Sequence, residues 1–288
     1  MRNWILAVRP KTLTAAVIPV IVGTSLAAGS HTIVWKWFVL ALLGALFIQI
    51  GTNLINDVAD FRKGTDTAER LGPLRVTQAG LLTETQVVRG AIVAFSAAVL
   101  CGIPLVLHGG APLFVIGVTS LAAGYAYTAG PWPLAYHGWG DFFVIVFFGV
   151  VAVSGSYFLQ TKSIDTGSIL AGVSVGCLAA VLIAINNLRD RDGDLASDKK
   201  TLAVRFGSRF ARVEITTLAL APFAIGSWWL QSGYPLPFYL PLLALPLAWA
   251  IIRSAHRDAG SALNTTLGKA AALHALHGIL FSLGVAIQ

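Results

Sequence analysis

Acidic side chains are scarce in this chain, and most of them stand in two short segments. Eight of the thirteen Asp and Glu residues fall within 57–69 and 190–198. Both segments follow the spacing Asn-x-x-x-Asp, and residues three or four apart share one face of a helix. Carboxylates crowded on one face repel each other, at a cost that grows near hydrocarbon. A cation must offset this repulsion. Mg²⁺ suits the role because it binds one or two carboxylates together with substrate phosphates.

Two such faces opposite each other predict a site for two or three Mg²⁺ ions and a diphosphate. The members at helical spacing are Asn53, Asn56, Asp57 and Asp60 in the first segment, and Asn186, Asp190, Asp194 and Asp198 in the second. We expect Gly64 to end the first helix and to leave Asp66 on a loop. We expect Gly193 to weaken or break the second helix.

Amide and basic side chains between the acids extend this prediction. Asn53 and Asn187 offer amide contacts without adding repulsion. The interleaved basic residues, which can reach phosphate oxygens, are Arg62, Lys63, Arg189, Lys199 and Lys200. Two other interpretations stay open: solvated loop charges, and a Ca²⁺ loop at 190–194 that lacks the closing Glu of an EF-hand.

The composition places these segments in a membrane protein. Of 288 residues, 56% are hydrophobic and 11% are charged, against about 25% charged in a soluble domain. This excludes a disordered chain, a coiled coil and an ordinary soluble enzyme. The net charge of +7 indicates positive charge gathered in cytoplasmic loops. We expect no nucleic acid as a partner. The chain has no P-loop, dinucleotide fingerprint or nucleophile elbow.

The apolar runs predict an all-α polytopic membrane protein, with one transmembrane domain over residues 1–288. A spanning helix needs about 20 mostly apolar residues. Nine runs qualify, at 12–29, 37–56, 87–107, 112–128, 140–159, 168–188, 213–231, 236–252 and 267–287.

The basic residues predict the orientation. With the N-terminus in the cytoplasm and nine spans, 18 of the 20 Lys and Arg residues fall on the inner side. Only Lys36 and Lys162 fall outside. Because Lys and Arg collect in cytoplasmic loops, we expect the C-terminus on the opposite side of the membrane.

The motifs resemble those of the UbiA-type intramembrane prenyltransferases, over about residues 9–287. Asn-Asp-x-x-Asp at 56–60 and Asp-x-x-x-Asp at 190–194 are similar to the signature of that superfamily. Six further strings resemble its 1,4-dihydroxy-2-naphthoate branch: Arg9-Pro10-Lys11-Thr12-Leu13, Lys63-Gly64-x-Asp66, Gly72-Pro73-Leu74-Arg75-Val76-Thr77-Gln78, Ala126-Tyr127-Thr128-Ala129-Gly130-Pro131, Asn186-Asn187-x-Arg189-Asp190 and Lys200-Thr201-Leu202.

The resemblance implies a fold and a reaction. The fold is nine transmembrane helices around a central cavity, with cytoplasmic cap loops after spans two, four and six. The reaction transfers a polyprenyl or phytyl group from its diphosphate to 1,4-dihydroxy-2-naphthoate, with Mg²⁺ as cofactor and loss of diphosphate and CO₂. It belongs to menaquinone or phylloquinone biosynthesis, in a bacterial inner membrane or a thylakoid.

The resemblance also implies roles for individual residues. The expected catalytic metal ligands are Asp57, Asp60, Asp190 and Asp194. The expected substrate contacts are Asn53, Asn56, Arg62, Lys63, Asp66, Asn187, Arg189, Asp198 and Lys200. Arg9 and Lys11 attract the naphthoate carboxylate or serve as topology anchors. The aromatic residues that stabilise a carbocation, or only pack, are Tyr125, Tyr127, Trp132, Phe147, Phe148 and Tyr157.

Three alternative functions remain. The first is a prenyltransferase for another acceptor, such as 4-hydroxybenzoate or homogentisate. The second is a secondary transporter, which would carry acids near the membrane midplane rather than at one face. The third is an alcohol phosphotransferase, but its motif beginning Asp-Gly-x-x-Ala-Arg is absent.

Overall fold

The computed structural model describes residues 2–29, 31–65 and 71–288. These residues form helices joined by loops, with no strand among them. The helices are α1 (Arg2–Val8), α2 (Thr14–Ala28), α3 (Trp35–Arg62), α4 (Glu84–Gly109), α5 (Ala111–Ala126), α6 (Gly140–Thr161), α7 (Thr166–Ala196), α8 (Leu202–Gln231), α9 (Leu236–Arg257) and α10 (Gly260–Ile287). The prediction of an all-α fold is confirmed.

Local capping signals determine where several helices begin. Thr83 and Gln86 form a reciprocal capping box at the start of α4, and Asp165 forms one with Ser168 at the start of α7. The hydroxyl of Thr201 accepts a hydrogen bond from a backbone N–H in the first turn of α8. Each cap satisfies N–H groups that would otherwise lack a partner at a helix start.

The nine predicted apolar runs are all helical, but they do not all have the length of a span. Among the described residues, seven helices are long and apolar enough to cross a membrane: α3, α4, α6, α7, α8, α9 and α10. An eighth span exists if Arg2–Thr12 and Thr14–Ala28, which meet at 50°, count as one. α5 has only 16 residues. The count of nine therefore stays a prediction.

α7 lies at the centre of the bundle. In the most apolar 18-residue stretch of α7, 78% of the residues are buried, against 22% in the corresponding stretches of α4 and α8. α6 approaches it closely at Gly149, where an added Cβ would stand 2.3 Å from the carbonyl oxygen of Gly172 and 2.6 Å from the Cα of Gly176. Small residues at such a crossing let two membrane helices pack backbone to backbone. The surface of the bundle carries many exposed large apolar side chains, such as Ile92 and Leu100.

Two helices extend beyond the predicted apolar runs and carry the acidic segments. α3 continues to Arg62, and Gly64 follows with a positive φ of 69°, as expected for a residue that ends a helix. α7 continues to Ala196 and passes through Gly193 without interruption. Of the two outcomes expected at Gly193, a break is wrong, while a weakening of about 1 kcal/mol is compatible with a continuous helix.

The loops after α3, α5 and α7 meet at the same end of the bundle. The hydroxyls of Thr65 and Tyr136 lie 2.6 Å apart. The backbone N–H of Lys200 donates to the carbonyl of Tyr136 at 3.0 Å, and Lys63 Nζ donates to the carbonyl of Thr128 at 2.9 Å. These are the loops predicted as cytoplasmic caps, and their membrane side stays a prediction.

Candidate functional site

A cavity of about 1500 Å³ runs through the bundle below these loops. At the loop end its lining is polar and includes the last turns of α3 and α7. Toward the other end the lining is apolar, with Leu105, Leu113 and Leu159 as examples. The cavity therefore combines a polar mouth with a long hydrocarbon-like interior, as an amphiphilic ligand with a charged head would require.

Asp60 on α3 is the acid of the first segment that faces this cavity. It is 5% exposed and lines the polar mouth. Tyr136 Oη donates to Asp60 Oδ1 at 2.9 Å, and Arg75 Nη2 donates to Asp60 Oδ2 at 3.3 Å. Burial and the nearby Asp60 charge raise the pKa of Tyr136 above its ordinary value, so its phenol remains a hydrogen-bond donor.

Asp57 has a different environment from Asp60. It is 1% exposed and is not among the residues that line the cavity. Its carboxylate accepts hydrogen bonds from the backbone N–H groups of Val76, at 3.3 Å, and Thr77, at 3.0 Å. Arg9 lies 3.9 Å from the same carboxylate. In this structure Asp57 holds the loop that follows α3 against the helix.

The second acidic segment places Asp190 and Asp194 on the cavity wall. Arg189 makes two hydrogen bonds to Asp190, at 2.8 and 2.6 Å, and a third to Asn264 at 2.7 Å. Lys199 Nζ lies 3.2 Å from Asp194 Oδ1. Burial alone would lower the pKa of Lys199. The negative charges of Asp194 and Asp60 together outweigh this effect, so the pKa of Lys199 is raised.

The predicted asparagines all line the cavity. Asn53 Nδ2 donates to the carbonyl of Val8 at 2.9 Å and to Thr12 Oγ1 at 3.0 Å, which ties α3 to the N-terminal segment. Asn56 accepts a hydrogen bond from the Thr128 hydroxyl. Asn187 Nδ2 donates to Asp141 Oδ2 at 3.3 Å.

Lys63, Arg9, Lys11 and Tyr127 also line the cavity. Lys63 Nζ lies 3.9 Å from the ring centre of Tyr136, and partial burial lowers the pKa of Lys63. Arg9 Nη2 donates to the carbonyl of Asn53 at 3.3 Å. Burial raises the pKa of Tyr127, helped by the charge of Asp141.

Some predicted residues lie away from the cavity. Arg62 is exposed and pairs with Glu84, and Asp198 and Lys200 form an exposed pair at 3.2 Å. None of these residues lines the cavity, because each side chain leaves its helix or loop on the outer side. Of the aromatic candidates, Phe147 and Phe148 line the cavity, whereas Tyr125, Trp132 and Tyr157 do not. Asp66 lies outside the described residues.

The structure adds three residues to which the sequence motifs assigned no role. Arg75, in the Gly72–Gln78 string, and Tyr136 both reach Asp60. Asp141 near the start of α6 lines the cavity and is 4% exposed. The signal for Arg75 was present, since it is the basic residue of a motif. Tyr136 and Asp141 stand in sequence far from the acidic segments that they contact or adjoin.

The oxygen ligands at the mouth fit a hard divalent cation. Asp60, Asp190 and Asp194 offer carboxylates to the cavity, and Asp194 Oδ2 is buried without a hydrogen-bond partner in the described part of the chain. Within the described residues, no three acids or His or Cys side chains are close enough to hold one ion alone. This matches Mg²⁺ sites that use one or two carboxylates and complete the shell with water and phosphate.

The chain is similar to known proteins in both sequence and fold. The residue pattern of the UbiA prenyltransferase family matches residues 16–274. A 1,4-dihydroxy-2-naphthoate octaprenyltransferase from Haemophilus influenzae is 34% identical over 301 residues, which cover 100% of this chain and 96% of that protein. A 2-carboxy-1,4-naphthoquinone phytyltransferase from Synechocystis sp. is 27% identical over 290 residues, with 98% and 92% covered. The solved structure of a UbiA homologue from Archaeoglobus fulgidus, bound to DMAPP and Mg²⁺, is similar with a TM-score of 0.68 at 16% identity and covers 98% of this chain and 99% of that chain.

Proposed function

Because this chain belongs to the UbiA prenyltransferase family, we propose that it transfers a polyprenyl group from its diphosphate to 1,4-dihydroxy-2-naphthoate. The chain is an integral membrane protein and a prenyltransferase. The products of the proposed reaction are the prenylated naphthoquinol, CO₂ and diphosphate. The acceptor follows from the names of the relatives, of which one that is 34% identical transfers an octaprenyl group.

One structural observation carries the proposal. The acids of α3 and α7 meet at the polar mouth of an otherwise apolar cavity, where Asp60, Asp190 and Asp194 all line the wall. A prenyl diphosphate has the matching shape, with a charged head and a long apolar tail. A secondary transporter would carry its acids near the membrane midplane rather than at one end of the cavity.

The carboxylates of Asp60, Asp190 and Asp194 would hold Mg²⁺, with Asp57 as a further predicted ligand. When bound there, Mg²⁺ would supply positive charge to neutralise the leaving diphosphate. Arg75, Arg189, Lys199 and Lys63 stand beside these acids and can turn their donors to diphosphate oxygens. Asn53, Asn56 and Asn187 add amide contacts. Arg62, Asp198 and Lys200 have no place in this proposal, because they lie outside the cavity.

The remaining lining residues handle the acceptor and the carbocation. Arg9 and Lys11 stand at the mouth, where they can attract the naphthoate carboxylate. Tyr127, Phe147 and Phe148 present aromatic surfaces that stabilise an allylic cation. The apolar wall excludes water, which would otherwise capture the cation before the ring does.

We further propose one transmembrane domain over residues 1–288, with the acidic mouth and the N-terminus on the cytoplasmic side. The distribution of Lys and Arg supports that orientation. A phytyl donor is the alternative to a polyprenyl donor, since the Synechocystis relative is named a phytyltransferase. The membrane would then be a thylakoid rather than a bacterial inner membrane.

The test is an acceptor panel. Purified protein in detergent receives Mg²⁺, octaprenyl or phytyl diphosphate, and 1,4-dihydroxy-2-naphthoate, 4-hydroxybenzoate or homogentisate under argon. Mass spectrometry is expected to detect the prenylated ring without its carboxylate, from naphthoate only. Product from 4-hydroxybenzoate but not from naphthoate would contradict the proposed acceptor and leave the prenyltransferase assignment intact.

A further inference from the structure

Asp141 is a buried carboxylate in the cavity wall that the diphosphate site does not use. It occupies the second position of α6 and is 4% exposed. Its Oδ2 accepts a hydrogen bond from Asn187, and its Oδ1 is buried with no hydrogen-bond partner among the described residues. A buried carboxylate oxygen without a donor is unfavourable, because it has lost its hydrogen bonds to water and gained none in return. A hydroxyl group of a bound ligand that donates to this oxygen would offset the cost.

Asp141 differs from the other acids of the cavity in its neighbours. Among the described residues, the cavity-lining acids are Asp60, Asp141, Asp190 and Asp194. The other three each have a basic partner, namely Arg75, Arg189 or Lys199. Asp141 forms no ion pair with any residue in the described part of the chain, and its one side-chain donor is the neutral amide of Asn187. It is therefore the cavity carboxylate that remains available to accept a proton.

The surroundings of Asp141 fit an aromatic ring that carries a hydroxyl group. Phe143 and Phe147 follow on the same helix with nearly parallel rings, 5.7 Å between centroids, and both line the cavity. Tyr127 lies across from Asp141, beside Gly140. Asn187 and Asp190 are three residues apart on α7, about 4.5 Å along the helix axis. An acceptor ring here would thus lie next to the head of the prenyl diphosphate.

We propose that Asp141 accepts the proton of the acceptor hydroxyl adjacent to the alkylated carbon, an inference that rests on the proposed function. As the ring carbon bonds to the allylic carbon, positive charge spreads to that hydroxyl. The O–H bond then breaks, its electron pair forms a C=O bond, and the proton passes to the Asp141 carboxylate. Without a group that takes up this proton in the water-excluded space, the naphthoate ring would be a weaker nucleophile.

The carboxyl group of Asp141 also takes part in the last step of the reaction. The alkylated carbon now carries the prenyl group and the carboxylate next to a ketone. Its bond to the carboxylate breaks, CO₂ leaves, and the bonding electrons restore the aromatic ring with an oxyanion in place of the ketone. Protonated Asp141 returns its proton to that oxyanion and gives the naphthoquinol. Asp141 takes up the proton in the first step and gives it back in the last, so the reaction releases no proton overall.

The test compares Asp141→Asn with the wild type and with Asp141→Glu. Asparagine keeps the size of the side chain but cannot take a proton, so kcat is expected to fall by about 10²–10⁴-fold. The KM for the prenyl diphosphate is expected to stay within about twofold, since the acids of the mouth are untouched. Asp141→Glu should recover part of the lost kcat. Asp258→Asn, a matched substitution outside the cavity, should behave as the wild type.

A binding measurement gives a readout that does not need turnover. Quenching of tryptophan fluorescence measures the affinity for 1,4-dihydroxy-2-naphthoate and for its 1-methoxy analogue, in which the oxygen next to the alkylated carbon has no proton to donate. The wild type should prefer the hydroxyl compound by about tenfold, as expected for one hydrogen bond to a charged group. Asp141→Asn should lose most of that preference.

Two failures are distinguishable. Absence of naphthoate turnover and binding in the wild type overturns the proposed acceptor and this inference with it. Normal wild-type turnover, with Asp141→Asn within about threefold of it and the same hydroxyl preference, overturns this inference alone.

Discussion

The carboxylate of Asp57 accepts a hydrogen bond from the backbone N–H of Thr77 at 3.0 Å. A second hydrogen bond comes from the N–H of Val76 at 3.3 Å. These contacts fix the loop after α3 against the helix and set Arg75 beside Asp60. The first acid of the Asn-Asp-x-x-Asp motif therefore has a positioning task in addition to its predicted metal ligation.

Asp57→Ala should destabilise the protein even without Mg²⁺. The substitution leaves two buried N–H groups unpaired, at about 1–3 kcal/mol each. Thermal unfolding in detergent with EDTA should show a Tm lower by several degrees. Asp192→Ala, which changes a carboxylate with a 92% exposed side chain, is the control and should leave Tm unchanged. If Asp57 served only the metal, removing its charge in EDTA would leave Tm unchanged or raise it.

Arg75→Met should weaken diphosphate binding more than Arg62→Met. Arg75 is 8% exposed, lines the cavity and pairs with Asp60 at 3.3 Å. A hydrogen bond to a charged group contributes about 1.5–3 kcal/mol, so the KM for the prenyl diphosphate should rise about 10–100-fold. Arg62 pairs with Glu84 on the outside, and a surface pair contributes about 0–1 kcal/mol.

Steady-state kinetics on the two methionine variants show whether Arg62, as the sequence motif predicts, or Arg75, as the structure indicates, binds the diphosphate. The sequence pattern assigned Arg62 to the diphosphate. A large rise in KM for Arg62→Met, with Arg75→Met near the wild type, would contradict the structural assignment.

The loop end of the bundle should lose stability in alkali. Burial and the Asp60 charge raise the pKa of Tyr136 above the ordinary value of about 10. Above about pH 10 the Tyr136 phenol is deprotonated in the unfolded chain but stays protonated in the folded protein. The folded state then holds more protons, so the free energy of unfolding falls as pH rises. Below pH 10 this contribution is fully present.

Tyr136→Phe removes the titrating group and should flatten the fall of Tm above about pH 10. Tyr127 and Lys199 also have raised pKa values, so part of the slope should remain. Tyr234→Phe, at a tyrosine that is 50% exposed, is the matched control and should keep the wild-type slope. An unchanged slope in Tyr136→Phe would contradict the assigned shift.

Gly149→Ala should disturb the packing of α6 on α7. A Cβ there would stand 2.3 Å from the carbonyl oxygen of Gly172, so backbone must move. Overpacking of this kind costs about 1–3 kcal/mol. Gly268→Ala on α10 meets nothing within 4 Å and should be neutral or stabilising. Thermal unfolding of the pair measures the difference, and equal Tm values would contradict the close crossing.

The sequence predicts the helices well because apolar runs of about 20 residues have few other structures open to them in a membrane. It also predicts which acids stand near one another, since Asp190 and Asp194 share a helix face by spacing alone. It could not rank Arg62 against Arg75. Helical periodicity gives no account of the loop that folds back onto Asp57 and brings Arg75 to the cavity.

Asp141 shows the same limit in another form. In the sequence it is a lone acid at the edge of an apolar run. Its importance comes from a contact with Asn187, on the next helix, and from an unpaired oxygen that only packing reveals. Long-range packing of this kind has no local signal. Gly193 shows the opposite limit, because a local helix breaker is overridden by the packing of α7.

The most direct test of the whole account follows the carboxyl carbon of the acceptor. Naphthoate labelled with ¹⁴C in its carboxylate is incubated with Mg²⁺ and octaprenyl diphosphate, and released ¹⁴CO₂ is counted against prenylated product. We predict one CO₂ for each prenylated product. Release by Asp194→Asn should be about 10³-fold slower, from the loss of several kcal/mol of charge stabilisation, and the exposed Asp192→Asn should keep the normal rate, as this mechanism requires. Prenylated product that keeps its label, or equal rates in the two variants, would contradict it.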